Sequence, residues 1–149
     1  MRRTLLSAGT PILACFALAA CDPAAGTRPR TTLDDPPGVV FLAEETAANA
    51  YMDALFQGGV TLDTQGCLRL DTSERHTVVW PHGYTLEASS GAFRVKDEQG
   101  RLVGTIGGSF RFGGGEVPSL ASVVNLSASA RAQAEANCPG RYWLASPEG

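Results

Sequence analysis

Val60-Thr61-Leu62-Asp63-Thr64-Gln65-Gly66-Cys67-Leu68-Arg69-Leu70-Asp71 is the stretch on which the fold turns. Val60 and Leu62 alternate with Thr61 and Asp63. After Thr64-Gln65-Gly66, Leu68 and Leu70 alternate with Arg69 and Asp71. Successive side chains of a strand point to opposite faces, so apolar residues two apart line one buried face. A short polar link containing glycine joins two such runs as a hairpin. The stretch therefore predicts two antiparallel strands. Cys67 shares the phase of Arg69, not of the leucines. Its sulfur is expected on the outer face or at the strand start, where a disulfide would tie on whatever carries its partner.

The same period recurs downstream. Residues 76–88, HTVVWPHGYTLEA, form the most apolar strand candidate, interrupted by Pro81-His82-Gly83. A proline inside such a run forces an edge, a bulge or a bend. Phe93 and Val95 alternate with Arg94 and Lys96, Asp97-Glu98-Gln99-Gly100 turns the chain, and Leu102, Gly104 and Ile106 continue the inward phase. Gly107-Gly108 marks a bend or bulge. Phe110 and Phe112 follow, and Gly113-Gly114-Gly115 reads as a turn leaving the sheet. Ser127 to Ala136 predicts a late helix with Ser127 as its N-cap, stopped by Cys138-Pro139-Gly140. Tyr142, Trp143 and Leu144 read as a closing strand.

Upstream, the period is helical. Ala47, Ala50, Tyr51, Ala54 and Leu55 fall on one helix face within residues 44–57. Glu44 and Glu45 suit a first turn, and Gly58-Gly59 would end the helix. Val39 to Ala43 is a short apolar patch. Residues 22–38 hold four prolines and almost nothing to bury, a composition that cannot offset the entropy of ordering. They read as a tether. The organisation expected is thus residues 1–20 as a signal, 21–43 as an anchor and tether, and 44–149 as the folded domain. Five or six short strands with one late helix predict a mainly β fold, a small antiparallel barrel that is OB-like or a roll. The helix falls before the last strand, not between the third and fourth, which argues against a strict OB topology.

Arg2 and Arg3 precede an apolar run from Leu5 to Ala20, the pattern of a secretory signal. The run is short of the roughly 20 apolar residues of a spanning helix and contains Pro11. It ends in Leu18-Ala19-Ala20-Cys21, which resembles the lipobox of bacterial lipoproteins. That resemblance implies cleavage before Cys21, acylation of its thiol, and tethering at the extracytoplasmic face of a bacterial membrane. Two or three acyl chains give stable anchoring where one does not, at about 0.8 kcal/mol per buried CH₂. The alternative is a plain secretory signal with a chance cysteine. Asp22 resembles the inner-membrane retention signal of enterobacterial lipoproteins.

Without residues 1–20 the chain carries ten basic and fifteen acidic residues. No basic patch stands out, which argues against a nucleic-acid partner. Cys15 lies in the signal and Cys21 at the lipid site, so Cys67 and Cys138 remain. An even pair in an exported chain reads as a disulfide. Two free thiols or a metal pair are the alternatives, and the spacing disfavours metal.

The segments GCLRL, VVWPHGY, GGGE and CPGRYWL, with a hairpin between, resemble small domains of bacterial exported proteins and lipoproteins across about residues 55–145. That resemblance implies a β-rich fold and adds nothing about function.

Candidate sites are sparse. His76 and His82 are the two histidines. His82 with Glu87 or Glu116 could begin a metal set, but no spacing specifies one, so neither a metal nor another cofactor is expected. No G-x-S-x-G occurs, and Gly107-Gly108-Ser109-Phe110-Arg111 lacks the helix that follows a nucleophile elbow. Gly113-Gly114-Gly115-Glu116 lacks the Gly-Lys-Ser/Thr of a phosphate loop. Trp80, Tyr84 and Tyr142, beside Arg141, form the candidate ligand surface, weighed against core packing of the aromatics. The acids Asp63, Asp71, Glu74, Glu87, Asp97, Glu98 and Glu116 read as turn acids. The expected function is a non-catalytic binding or structural module of the cell envelope, with an envelope protein or glycan as partner. The alternative is an envelope enzyme of hydrolase type.

Overall fold

A computed structural model describes residues 38–147. The expected signal segment, Cys21 and most of the tether lie outside the described residues. The elements are β1 (Leu42–Ala43), β2 (Ala54–Leu62), β3 (Leu68–Leu70), β4 (Thr77–Trp80), β5 (Thr85–Ser89), β6 (Ala92–Lys96), β7 (Leu102–Thr105), β8 (Ser109–Val117), a 3₁₀ turn (Leu120–Ser122), α1 (Ala128–Asn137) and β9 (Tyr142–Ser146).

The quoted hairpin forms as the alternation requires. β2 and β3 pair antiparallel with Val60 opposite Leu70 and Leu62 opposite Leu68. From β3 the sheet runs to β4 on one side, and from β2 to β8 and then β9 on the other. β9 then lies parallel along β4, with Thr77 opposite Tyr142 and Val79 opposite Leu144. This pairing closes a five-stranded barrel, and β1 adds a sixth strand against β4. The fold is therefore mainly β, a small closed barrel with a single late helix before its last strand.

The barrel sheet has the five or six strands expected, and among the described residues β5, β6 and β7 add a separate antiparallel meander. The Pro81-His82-Gly83 break moves the chain from barrel to meander, with the Tyr84 amide donating to the Pro81 carbonyl at 3.3 Å. The meander packs its Leu86 and Val95 onto the barrel core of Val60, Leu68, Leu70, Val78, Trp80, Phe110 and Phe112. Contact between the layers is close: a Cβ on Gly104 would lie 2.4 Å from the Phe110 ring, far inside van der Waals distance.

The outer face of the barrel wall is exposed along β2 and β8 but covered at β4 and β9. α1 and the 3₁₀ turn cover it there with Leu120, Val123, Leu126 and Ala134, against Leu42, Val79 and Tyr142. Cys67 falls on this face, as its phase predicts, and bonds Cys138 just after the helix. Ser127 caps α1, its hydroxyl accepting from the Ala130 amide at 3.1 Å. All four residues of β4 are buried, since one face looks into the barrel and the other under the helix. A strand covered on both faces reads as a continuous apolar run, which Thr77-Val78-Val79-Trp80 is.

Three expectations change. Residues 44–53 form no helix, and Ala54 to Gln57 begin β2, pairing with β8 from Ala54↔Gly114 to Gly59↔Ser109. Helix propensity is a weak prior. Here the inward phase of Phe56 and Val60, shared with Phe112 and Phe110, outweighs it. Gly113-Gly114-Gly115 is not a turn but the middle of β8. A Cβ on Gly114 would sit 2.2 Å from the Leu144 carbonyl oxygen and 2.5 Å from Trp143 Nε1, at a φ of +144°, so the glycine serves close packing. The folded domain also begins before residue 44. Val40 bridges Cys67, Leu42 and Ala43 pair with β4, and Leu42 is buried.

The disulfide closes 71 residues of sequence separation. Replacing both cysteines with alanine is expected to lower the unfolding free energy by about 4 kcal/mol. Urea denaturation of the oxidised parent and the double variant measures it. A loss under about 1 kcal/mol would show that the bond does not constrain the unfolded chain as the loop length requires.

Candidate functional site

Barrel closure determines which charged residues meet. Tyr142 pairs with Thr77 on one edge and Val117 on the other. His76 and Arg141, just before Thr77 and Tyr142 on the parallel strands, therefore share one mouth of the barrel, and Glu116, opposite Trp143 on the antiparallel β8, lies one position further in. Thr77, Tyr142 and Val117 point under the helix, so His76 and Glu116 take the interior phase, above Trp143. The Thr77 amide donates to the Arg141 carbonyl at 2.9 Å, and the Leu70 amide to the His76 carbonyl at 2.9 Å, which fix the backbone on both sides of His76. Glu74 comes from the tight turn between β3 and β4, closed by the Arg75 amide donating to the Thr72 carbonyl at 3.2 Å.

The result is a cluster of Glu74, His76 and Glu116 whose ligand-type atoms all lie within 4.8 Å of one another. His76 Nε2 is 3.3 Å from Glu74 Oε2 and 3.4 Å from Glu116 Oε2. The imidazole side chain is only 7% exposed. Neither ring nitrogen has a hydrogen-bond partner. The ring stands edge-on to Trp143 with centroids 6.1 Å apart. Arg141 hydrogen-bonds the other oxygen of Glu116, Oε1, and approaches Glu74 Oε2 at 3.6 Å.

A second polar network lies beside it and has a structural role. Asp63 Oδ1 accepts from the Gln65 and Cys67 amides, both at 2.9 Å, and Oδ2 accepts from Arg69 Nε at 3.0 Å. Arg69, buried on the outer face, donates onward to the Pro139 carbonyl from both terminal nitrogens at 3.2 Å. The guanidinium thus ties the hairpin turn to the segment that carries Cys138, in parallel with the disulfide. A shallow groove of about 650 Å³ runs over this network from Leu62 to Glu74 and Arg141. Burial pushes the Asp63 carboxyl upward. The Cys67 amide, Arg69 and the Gln65 amide outweigh it and hold the group below its ordinary 3.8.

Glu44 is the reverse case. It is buried, and that burial raises its carboxyl above the ordinary 4.5 despite hydrogen bonds from Asn125 and Tyr51. Its amide donates to the Trp80 carbonyl and its own carbonyl faces His82 Nδ1 at 3.3 Å, so it fastens β1 to the end of β4.

The aromatic surface is not formed. Trp80 is 0% exposed and stacks between Phe41 and Tyr84 in the barrel core, while Tyr142 is buried under the helix. Interior phase and the double covering of β4 account for this. Of the four residues in the expected ligand surface, only Arg141 is exposed, and its partners are acids. His82 and Glu87 do not join Glu116; His76 does. The interior phase of His76 with Val78 and Trp80, and of Glu116 with Phe110 and Phe112, was the available signal. A polar residue in the core phase at a strand end marks a barrel mouth. Compared with known proteins, the chain matches no family model, no curated protein and no solved structure.

Asp63 contributes stability that is complete above its ordinary value of 3.8 and is lost as pH falls through its lower folded value. Asp63→Asn is expected to cost about 1.5–3 kcal/mol at pH 7, the worth of hydrogen bonds to a charged group, and the deficit should shrink as the pH approaches 2. Thermal unfolding of both proteins between pH 7 and 2 tests this. A deficit that persists unchanged at low pH would contradict the assignment.

Proposed function

We propose that the chain is a lipid-anchored module of a bacterial envelope, held at the extracytoplasmic face through Cys21, whose barrel domain acts without catalysis. The observation that carries this reading is Leu18-Ala19-Ala20-Cys21 closing a basic and then apolar segment. The Cys67–Cys138 bond agrees with an oxidising compartment. Among the described residues no helix is long and apolar enough to cross a membrane, and the proposed attachment does not need one.

The non-catalytic reading is supported by how the polar groups are used. Asp63, Arg69 and Glu44 are engaged in holding elements together. His82 Nδ1 faces the Glu44 backbone carbonyl at 3.3 Å. The partner is proposed to be another envelope component, protein or glycan, met at the charged mouth of the barrel. Asp22 favours the inner membrane as the place of attachment.

Cys21→Ser is expected to move the protein from the membrane fraction to the soluble fraction of the envelope and to abolish incorporation of labelled fatty acid. Fractionation and metabolic labelling of the parent and variant read both. Continued membrane retention of the serine variant would overturn the anchor.

A further inference from the structure

The geometry points to a divalent transition-metal site, best suited to zinc, formed by His76 Nε2, Glu74 Oε2 and Glu116 Oε2. This goes beyond the envelope reading and does not depend on it, since the three residues belong to the barrel mouth and not to the anchor.

Two independent features carry it. The first is the ligand spacing. Zinc arms of about 2.0–2.2 Å at the tetrahedral angle place neighbouring ligand atoms about 3.3–3.6 Å apart. The imidazole nitrogen lies 3.3 and 3.4 Å from the two carboxylate oxygens, so the two edges to the histidine match, and the oxygens themselves lie within 4.8 Å of each other. A magnesium octahedron with arms of about 2.0–2.1 Å would need adjacent ligands only about 3.0 Å apart, and imidazole is a poor ligand for that ion. The second feature is the unmet demand of the histidine. Its side chain is 93% buried, on 7% exposure, its Nε2 is aimed between two carboxylates, and it makes no hydrogen bond. One proton on Nε2 could point at one oxygen only. A doubly charged ion held between all three atoms satisfies both carboxylates and the ring together.

Arg141 lies 3.6 Å from Glu74 Oε2 and must yield that oxygen to the ion, but it keeps its hold on Glu116. By holding Glu116 Oε1 it turns Oε2 toward the histidine and fixes the carboxylate rotamer, as outer partners do at metal sites. The histidine lacks such a brace, because Nδ1 has no partner. The site should therefore bind about 10–100-fold more weakly than a fully braced one. Three protein ligands leave the fourth tetrahedral position to water or an exogenous donor, facing the open rim where Glu74 is half exposed.

The test is a titration of zinc chloride alone into the full chain carrying Cys15→Ser and Cys21→Ser, so that the only cysteines left are those in the disulfide. The chain is first stripped with EDTA. Calorimetry and tryptophan fluorescence, sensitive here because Trp143 lies against His76, read the binding. One zinc per chain is expected, with no comparable response to magnesium. His76→Gln should abolish it, Glu74→Gln and Glu116→Gln should each weaken it by at least about tenfold, and His82→Gln should leave it unchanged. Glu74 is exposed, so its variant keeps the fold even where His76→Gln does not, and circular dichroism verifies this. Absence of zinc binding, or binding of equal strength in Glu74→Gln, would overturn the site.

Discussion

Strand β4 is hydrogen-bonded along both edges and buried on both faces, and the barrel closes because β9 runs parallel along it. Most other features follow from that placement. A strand in this position is buried throughout, with Thr77 giving its hydroxyl to the Cys138 carbonyl, which is why Trp80 is the central core ring and not a surface platform. Its outer face needs a cover, supplied by the helix that lies just before β9 in the chain. The disulfide and the Arg69 bridge to Pro139 both fasten that cover to the β2–β3 hairpin. A parallel pair cannot be joined by a tight turn. The long path from β4 to β9 instead carries the meander, β8 and the helix.

The sequence was legible wherever local period and tertiary position agree. The hairpin at residues 60–70, the meander turn at Asp97–Gly100, the Ser127 cap and the Cys67–Cys138 pair could each be read from a short stretch, because one strand face or one helix end determines each. Reading failed where a distant partner overrides the local signal. Ala47 to Leu55 has helical spacing, yet β8 takes Ala54 onward as a strand. Three consecutive glycines look like a turn, yet they lie in a strand, where the β9 backbone and Trp143 crowd Gly114 and the Ser146 and Met52 side chains lie against Gly113 and Gly115. The mouth cluster was legible only in part: core phase marks His76 and Glu116, but not that they meet. Glu74, His76 and Glu116 are brought together by the registers of β4, β8 and β9, and no local spacing encodes those registers.

The polar residues divide into two groups with different uses. Asp63, Arg69 and Glu44 are satisfied by hydrogen bonds and hold elements in place. His76 is buried without a hydrogen bond among acids that face it. Buried polar groups are generally paired; Trp80, Arg131 and Trp143 also leave a buried nitrogen without a hydrogen bond, but His76 faces two carboxylates at 3.3 and 3.4 Å, and that is where a ligand is to be sought.

The account rests on closure of the barrel bringing His76, Glu74 and Glu116 to a single point. Anomalous diffraction at the zinc absorption edge, from crystals of the oxidised chain grown with zinc, tests this most directly. The account predicts one strong peak about 2.0–2.2 Å from His76 Nε2 and from one oxygen of each glutamate, with Tyr142 paired between Thr77 and Val117. Zinc found only on other side chains, or strand ends that leave the three residues apart, would contradict it.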